Sequence, residues 1–144
     1  MKVKLILASV ALMATSYGAD VNRLVEALVH VESNGKANAV GDRGKAVGVL
    51  QIHDIMVQEA NRLAQTRYSH QDMFNPTAAR DVAKIVLNHY SKTIQKTTGR
   101  EATEQELAYI WNGGAASWKR VAAPQNDTKQ KNLERYWSKV SKAL

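Results

Sequence analysis

Apolar residues recur at helical intervals through most of this chain. Val21, Leu24, Val25, Leu28 and Val29 follow one another at three- and four-residue spacing, which is one face of an amphipathic helix. Asp20 precedes them as the expected N-cap, and Gly35 is the expected stop. Glu32 lies four residues after Leu28 and three after Val29. It therefore continues the apolar face, whereas Glu26 falls on the solvated side. Ile55, Met56, Ala60 and Leu63 form a second helical pattern, with Asp54 as its expected N-cap. Asn75-Pro76 opens a third helix, with Asn75 as N-cap and Pro76 in the first turn. Ala79, Val82, Ala83, Val86, Tyr90 and Ile94 form its apolar face, and Thr97-Thr98-Gly99 ends it.

Thr103-Glu104-Gln105-Glu106 is a capping box. It opens a helix through Leu107, Ala108, Ile110 and Trp111, which Asn112-Gly113-Gly114 is expected to interrupt. Residues 115–121 suit a further short helix, and 124–127 a loop. Leu133, Tyr136, Trp137, Val140 and Leu144 mark the last helix. Residues 36–52 break the helical pattern. Gly41-Asp42-Arg43-Gly44 is turn chemistry, and 46–52 is a short apolar run that suits a strand or the start of the next helix. The fold class expected is mainly α, of α+β type. A helical domain would carry a small glycine-rich section, strand-like in part, lining a cleft.

Residues 1–19 have a different pattern. Lys2 and Lys4 precede an apolar run from Leu5 to Ala14 broken only by Ser9, and small or polar residues follow apart from Tyr17. This reads as an export signal, too short to span a bilayer. The expectation is a leader at 1–19 and one domain at 20–144, exported to the periplasm or the outside at the cell wall. No stable membrane span would remain after the leader is removed. The remaining length is enough for one core that buries about two-thirds of the unfolded surface.

Charge and composition narrow the chemistry. The chain has 20 Lys and Arg against 13 Asp and Glu, and no Cys. Disulfides, thiolate metal sites and Cys nucleophiles are therefore excluded. A basic surface suits nucleic acid, anionic lipid or a bacterial wall. The basic residues read as scattered, with no stripe along one helix, which weighs against nucleic acid as a partner. His30, His53, His70 and His89 show no metal-ligand spacing and read as surface or packing residues. No metal and no cofactor are expected.

Three features remain. Glu32 on an apolar face would have its charged form desolvated and its pKa raised, as suits a general acid in glycoside cleavage. The bland alternative is a buried glutamate held by a partner. Gln51 and Asn112 are amides in apolar or glycine-rich settings, suited to gripping sugar hydroxyls and N-acetyl groups or to capping and turns. The aromatics Tyr109, Trp111, Trp118, Tyr136 and Trp137 sit at helical spacing as core residues, one or two of which could line a sugar groove.

Together, Glu32-Ser33, Gly44, Ala46 to Gln51 with its Gly-x-x-Gln, Trp111-Asn112-Gly113-Gly114 and Tyr136 resemble the lytic transglycosylase (SLT-type) and goose-type lysozyme superfamily. The order and spacing fit nearly all of residues 20–144. The resemblance implies a lysozyme-like fold and cleavage of the MurNAc–GlcNAc bond of peptidoglycan glycan strands. It implies Glu32 as the single catalytic acid, with Ser33, Gln51, Tyr109, Trp111, Asn112 and Tyr136 as substrate-side residues. In such enzymes the substrate's N-acetyl group stabilises C1 and a 1,6-anhydro ring closes. Three positions depart from the pattern. Trp111 stands where the family usually has Tyr, Gly41 where it often has Ser, and Lys45 is an extra residue. Tyr109 or Tyr136 is the candidate for the missing hydroxyl. A hydrolase using Asp42 to hold a water, or a wall-binding module without activity, is the alternative. The role left open by the sequence is service to a secretion or conjugation machine, wall turnover or phage lysis.

Overall fold

A computed structural model describes residues 18–144, so the expected leader falls outside the description except for its last two residues. The described residues form six α-helices and one two-stranded sheet. The helices are α1 Val21–Ser33, α2 Asp54–Ala64, α3 Pro76–Thr98, α4 Glu104–Gly113, α5 Lys119–Ala122 and α6 Thr128–Ala143. The strands β1 Val40–Gly41 and β2 Ala46–Val47 pair antiparallel, Val40 opposite Val47 and Gly41 opposite Ala46. The expected mainly α fold with a small β section is the one observed.

Local chemistry sets most of the boundaries. Asp20 accepts the Arg23 N–H, Asn75 accepts those of Thr77 and Ala78, and Thr103 forms a reciprocal box with Glu106. Each satisfies donors that a helix start leaves free. The cap that ends α1 falls one residue before Gly35, because Asn34 itself takes the left-handed conformation. Likewise α4 runs through Asn112 and Gly113, and the break falls at Gly114. Asp54 is the first residue of α2 rather than its cap, a position that His53 occupies without a side-chain bond. Residues 66–75, which join α2 to α3, contain a 3-10 turn, His70–Phe74, whose Met73 is fully buried.

Helix α1 lies at the centre and packs against α3, α4 and α6. Leu24, Val25, Leu28, Leu50, Ile52, Val82, Leu87 and Leu107 are among the fully buried side chains around it. The sheet is pinned to this core by a close backbone approach at Gly48. Gly48 has φ +76, and a Cβ there would collide with the Met73 carbonyl. Ile55 departs from its helical pattern. It is 76% exposed, and Val57 and Ala60 supply the buried face of α2 instead.

Candidate active site

Glu32 is the penultimate residue of α1 and only partly buried. Its Oε1 accepts a 2.6 Å hydrogen bond from the Tyr136 hydroxyl, 104 residues away on α6. Burial pushes the Glu32 carboxyl above its ordinary range. The Tyr136 hydroxyl works against that rise, followed by the Trp111 indole and the nearby His53 and Lys139 side chains. The Trp111 N–H faces the carboxylate more loosely than Tyr136 does, short of a formed hydrogen bond. Burial, and then the Glu32 charge, push the Tyr136 hydroxyl far up. Tyr136 therefore stays protonated at any physiological pH and acts as a donor toward Glu32.

The other expected site residues divide by what they touch. Ser33 holds the turn rather than facing the carboxylate's donors. Its Oγ donates to the Val49 carbonyl at 2.8 Å and accepts the Lys36 N–H at 3.1 Å. Gln51 has a left-handed φ of 49°, and its amide donates to the Gly48 carbonyl at 3.0 Å. A Cβ at residue 41 would lie 2.5 Å from the Gln51 Oε1. Glycine in place of the family's serine thus leaves room for this amide. Asn112 is exposed in the last turn of α4 and makes no side-chain hydrogen bond among the described residues, so its amide is open to a ligand.

Tyr109 is the exception. It is 1% exposed, and its hydroxyl is 3.4 Å from the Gln105 amide. The expectation that Tyr109 or Tyr136 replaces the missing hydroxyl resolves to Tyr136, because α4 turns Tyr109 into the core. The extra residue Lys45 is exposed and follows the 3-10 turn Asp42–Gly44. The insertion is absorbed there, with Asp42 and Arg43 both at positive φ.

His53, read from sequence as a packing or surface residue, belongs to this neighbourhood. Its Nε2 is 3.3 Å from the Asp42 carboxylate, and the ring is near enough to Glu32 to influence it. Lys139 is the other residue that sequence reasoning missed. It lies three residues after Tyr136, one turn along α6, and that spacing is the signal that could have found it. Four of the five described non-glycine residues at positive φ, namely Asn34, Asp42, Arg43 and Gln51, fall between Glu32 and His53. Strained backbone of this kind persists where surrounding structure enforces it, and it concentrates at functional sites.

A cleft of about 750 Å³ opens between α2, α3 and α4, lined by Ile55, Met56, Val86, Tyr90, Ile110 and Trp111. Glu32 is not in its wall. Trp111 lines the cleft and also neighbours Glu32, so the two share one side chain. This explains the exposure of Ile55, which faces the opening rather than the core. A partly buried acid with a fixed donor, beside an aromatic and aliphatic cleft, can deliver a proton to a bound neutral polymer such as a glycan.

The family model described as the transglycosylase SLT domain matches residues 9–134. The chain belongs to that family. No curated protein matches it. Membership gives this SLT domain a peptidoglycan substrate and, in general terms, a lytic transglycosylase type of activity. No helix among its described residues is long and apolar enough to cross a membrane.

Proposed function

We propose that this SLT domain is an exported enzyme that breaks the β-1,4 bond from MurNAc to GlcNAc, with Glu32 as its sole proton carrier. The observation that supports this most is the 2.6 Å bond from Tyr136 to a carboxyl whose pKa burial has raised. A protonated Glu32 gives its proton to the glycosidic oxygen as the C1–O bond breaks. The substrate's N-acetyl oxygen steadies the positive charge at C1. The Glu32 carboxylate then takes the proton of the C6 hydroxyl, and that oxygen closes on C1. No water enters, and Glu32 ends as it began.

Tyr136 and the Trp111 indole suit the middle of this cycle, where Glu32 is charged, because donors favour the ionised form. The cleft beside Trp111 would hold the strand, with Asn112 and Gln51 as amide contacts. The alternative hydrolase would use Asp42 to direct a water. Asp42 is 59% exposed at its side chain and already engaged with His53, so the single-acid route is favoured.

Mass spectrometry of muropeptides released by wild type and Glu32→Gln tests the proposal. Anhydro-ended products, one water lighter than hydrolytic ones, are expected from the wild type and none from Glu32→Gln. Reducing ends would establish hydrolysis instead. Full turnover by Glu32→Gln would remove Glu32 from the chemistry, and strand binding without any wild-type turnover would leave a binding module.

A further inference from the structure

Sequence reading found no basic stripe, yet the bounds of α6 create one. Lys131, Arg135, Lys139 and Lys142 follow at intervals of four, four and three residues. At 3.6 residues per turn they fall within an arc of roughly 80° and extend over about 16 Å of helix. All four are exposed, and none joins an ion pair among the described residues. The one acid of α6, Glu134, lies off this line and accepts the Gln130 amide at 3.0 Å.

Helix energetics do not account for the stripe. Cations are favoured near a helix C-terminus and disfavoured near the N-terminus. Lys142 sits in the last turn, but Lys131 and Arg135 lie in the first half, and the first turn of α6 holds no acid. The helix tolerates these charges without gaining from them locally. Their position suggests what they are for. Tyr136, which bonds Glu32, lies on the same helix, and Lys139 is the stripe residue whose charge reaches that carboxyl. A strand placed for attack at Glu32 therefore passes beside the stripe.

We propose that this face of α6 binds the carboxylate-bearing stem peptides of the glycan strand, so that the enzyme favours stem-bearing strands over bare ones. The inference rests on the peptidoglycan reading of the Glu32 site. Stems leave the strand at MurNAc, the same sugar whose glycosidic oxygen Glu32 would protonate. The nearest stem is thus carried to the flank of the acid, where α6 lies. Exposed pairs of this kind are individually weak and additive in a row, and salt screens them.

The test compares strands that retain their stems with strands stripped of them by an amidase. Binding is measured in the Glu32→Gln background, so it does not depend on turnover. Neutralising Lys131, Arg135 and Lys142 to Gln should weaken binding of stem-bearing strands roughly tenfold at low salt. Stem-free strands should bind as before, and the difference should close as salt is raised. Unchanged affinity for stem-bearing strands would overturn the proposal, as would an equal loss for both substrates. So would a loss confined to anionic vesicles or duplex DNA, which would reassign the stripe to those polyanions. If wild type cuts neither strand, the catalytic reading fails while the binding comparison still stands.

Discussion

Replacing Tyr136 by Phe removes one hydroxyl and little else, so its effect can be worked out from a single bond. That bond, 2.6 Å to the Glu32 Oε1, favours the ionised carboxyl. A hydrogen bond to a charged group contributes about 1.5–3 kcal/mol, or roughly 10- to 150-fold in rate if the whole charge is present in the transition state. Charge on Glu32 is only partly developed as the glycosidic bond breaks. The lower part of the range applies, a fall of roughly 10- to 30-fold in the plateau rate. The pH dependence has a definite sign. Burial already holds the Glu32 carboxyl high, and Tyr136 is the largest influence lowering it. Without the hydroxyl the pKa rises further. In the proposed mechanism Glu32 must be protonated to act first as an acid, so activity would be lost as pH rises through that pKa. The Tyr136→Phe variant should therefore show a lower plateau and an alkaline limb moved to higher pH. Rates of anhydro-muropeptide release across pH would show both. A limb that stays put, or moves to lower pH, would refute the claim that Tyr136 stabilises the ionised acid.

Three other outcomes follow from the geometry. Glu32→Gln should abolish release but raise the melting temperature at neutral pH by a few degrees, about 1 kcal/mol for a domain of this size. The sign follows from linkage: a carboxyl raised in the fold adds stability below its unfolded pKa and loses it as pH rises through the folded pKa, so calorimetry should show the gain shrinking under acid. Arg100→Ala should destabilise by about 3 kcal/mol, because Glu106 is 1% exposed and its partner at 2.5 Å would be gone. Burial pushes the Glu106 carboxyl up, but Arg100 and the Thr103 N–H bring it below its ordinary range; its contribution is present at neutral pH and lost as pH falls through the folded value, so wild type and variant should converge in acid denaturation. Gly48→Ala should cost more than about 3 kcal/mol in denaturant midpoints, since positive φ and the Met73 carbonyl both oppose a side chain there.

The readable parts of this protein were those governed by near neighbours in sequence. Asp20, Asn75 and Thr103 cap helices through contacts two or three residues away, so local chemistry was enough to find them. Glu32 was visible because it continues the period of Leu28 and Val29. Tyr109 and Tyr136 looked alike, each on an apolar stretch of a helix. Only the packing of α4 and α6 decides that one enters the core and the other meets the acid. His53 was missed because its partner Asp42 reaches it through a turn with two left-handed residues, a path no periodicity describes. The α6 stripe was missed for another reason. The apolar positions announced the helix, and the opposite face becomes a pattern only when its start at Thr128 is known.

The 104 residues between Glu32 and its donor also bear on when the molecule becomes competent. The carboxyl is made early and sits in α1, but the hydroxyl that steadies its charge arrives with α6. A chain that has folded only as far as α4 has an acid and a cleft with no such donor. Loop closure over that separation is among the slower events of folding. Under the proposed mechanism, proton transfer by Glu32 in its tuned form would therefore begin only after the last described helix docks against the first. Partly made copies of a wall-cutting enzyme would be poor cutters by construction.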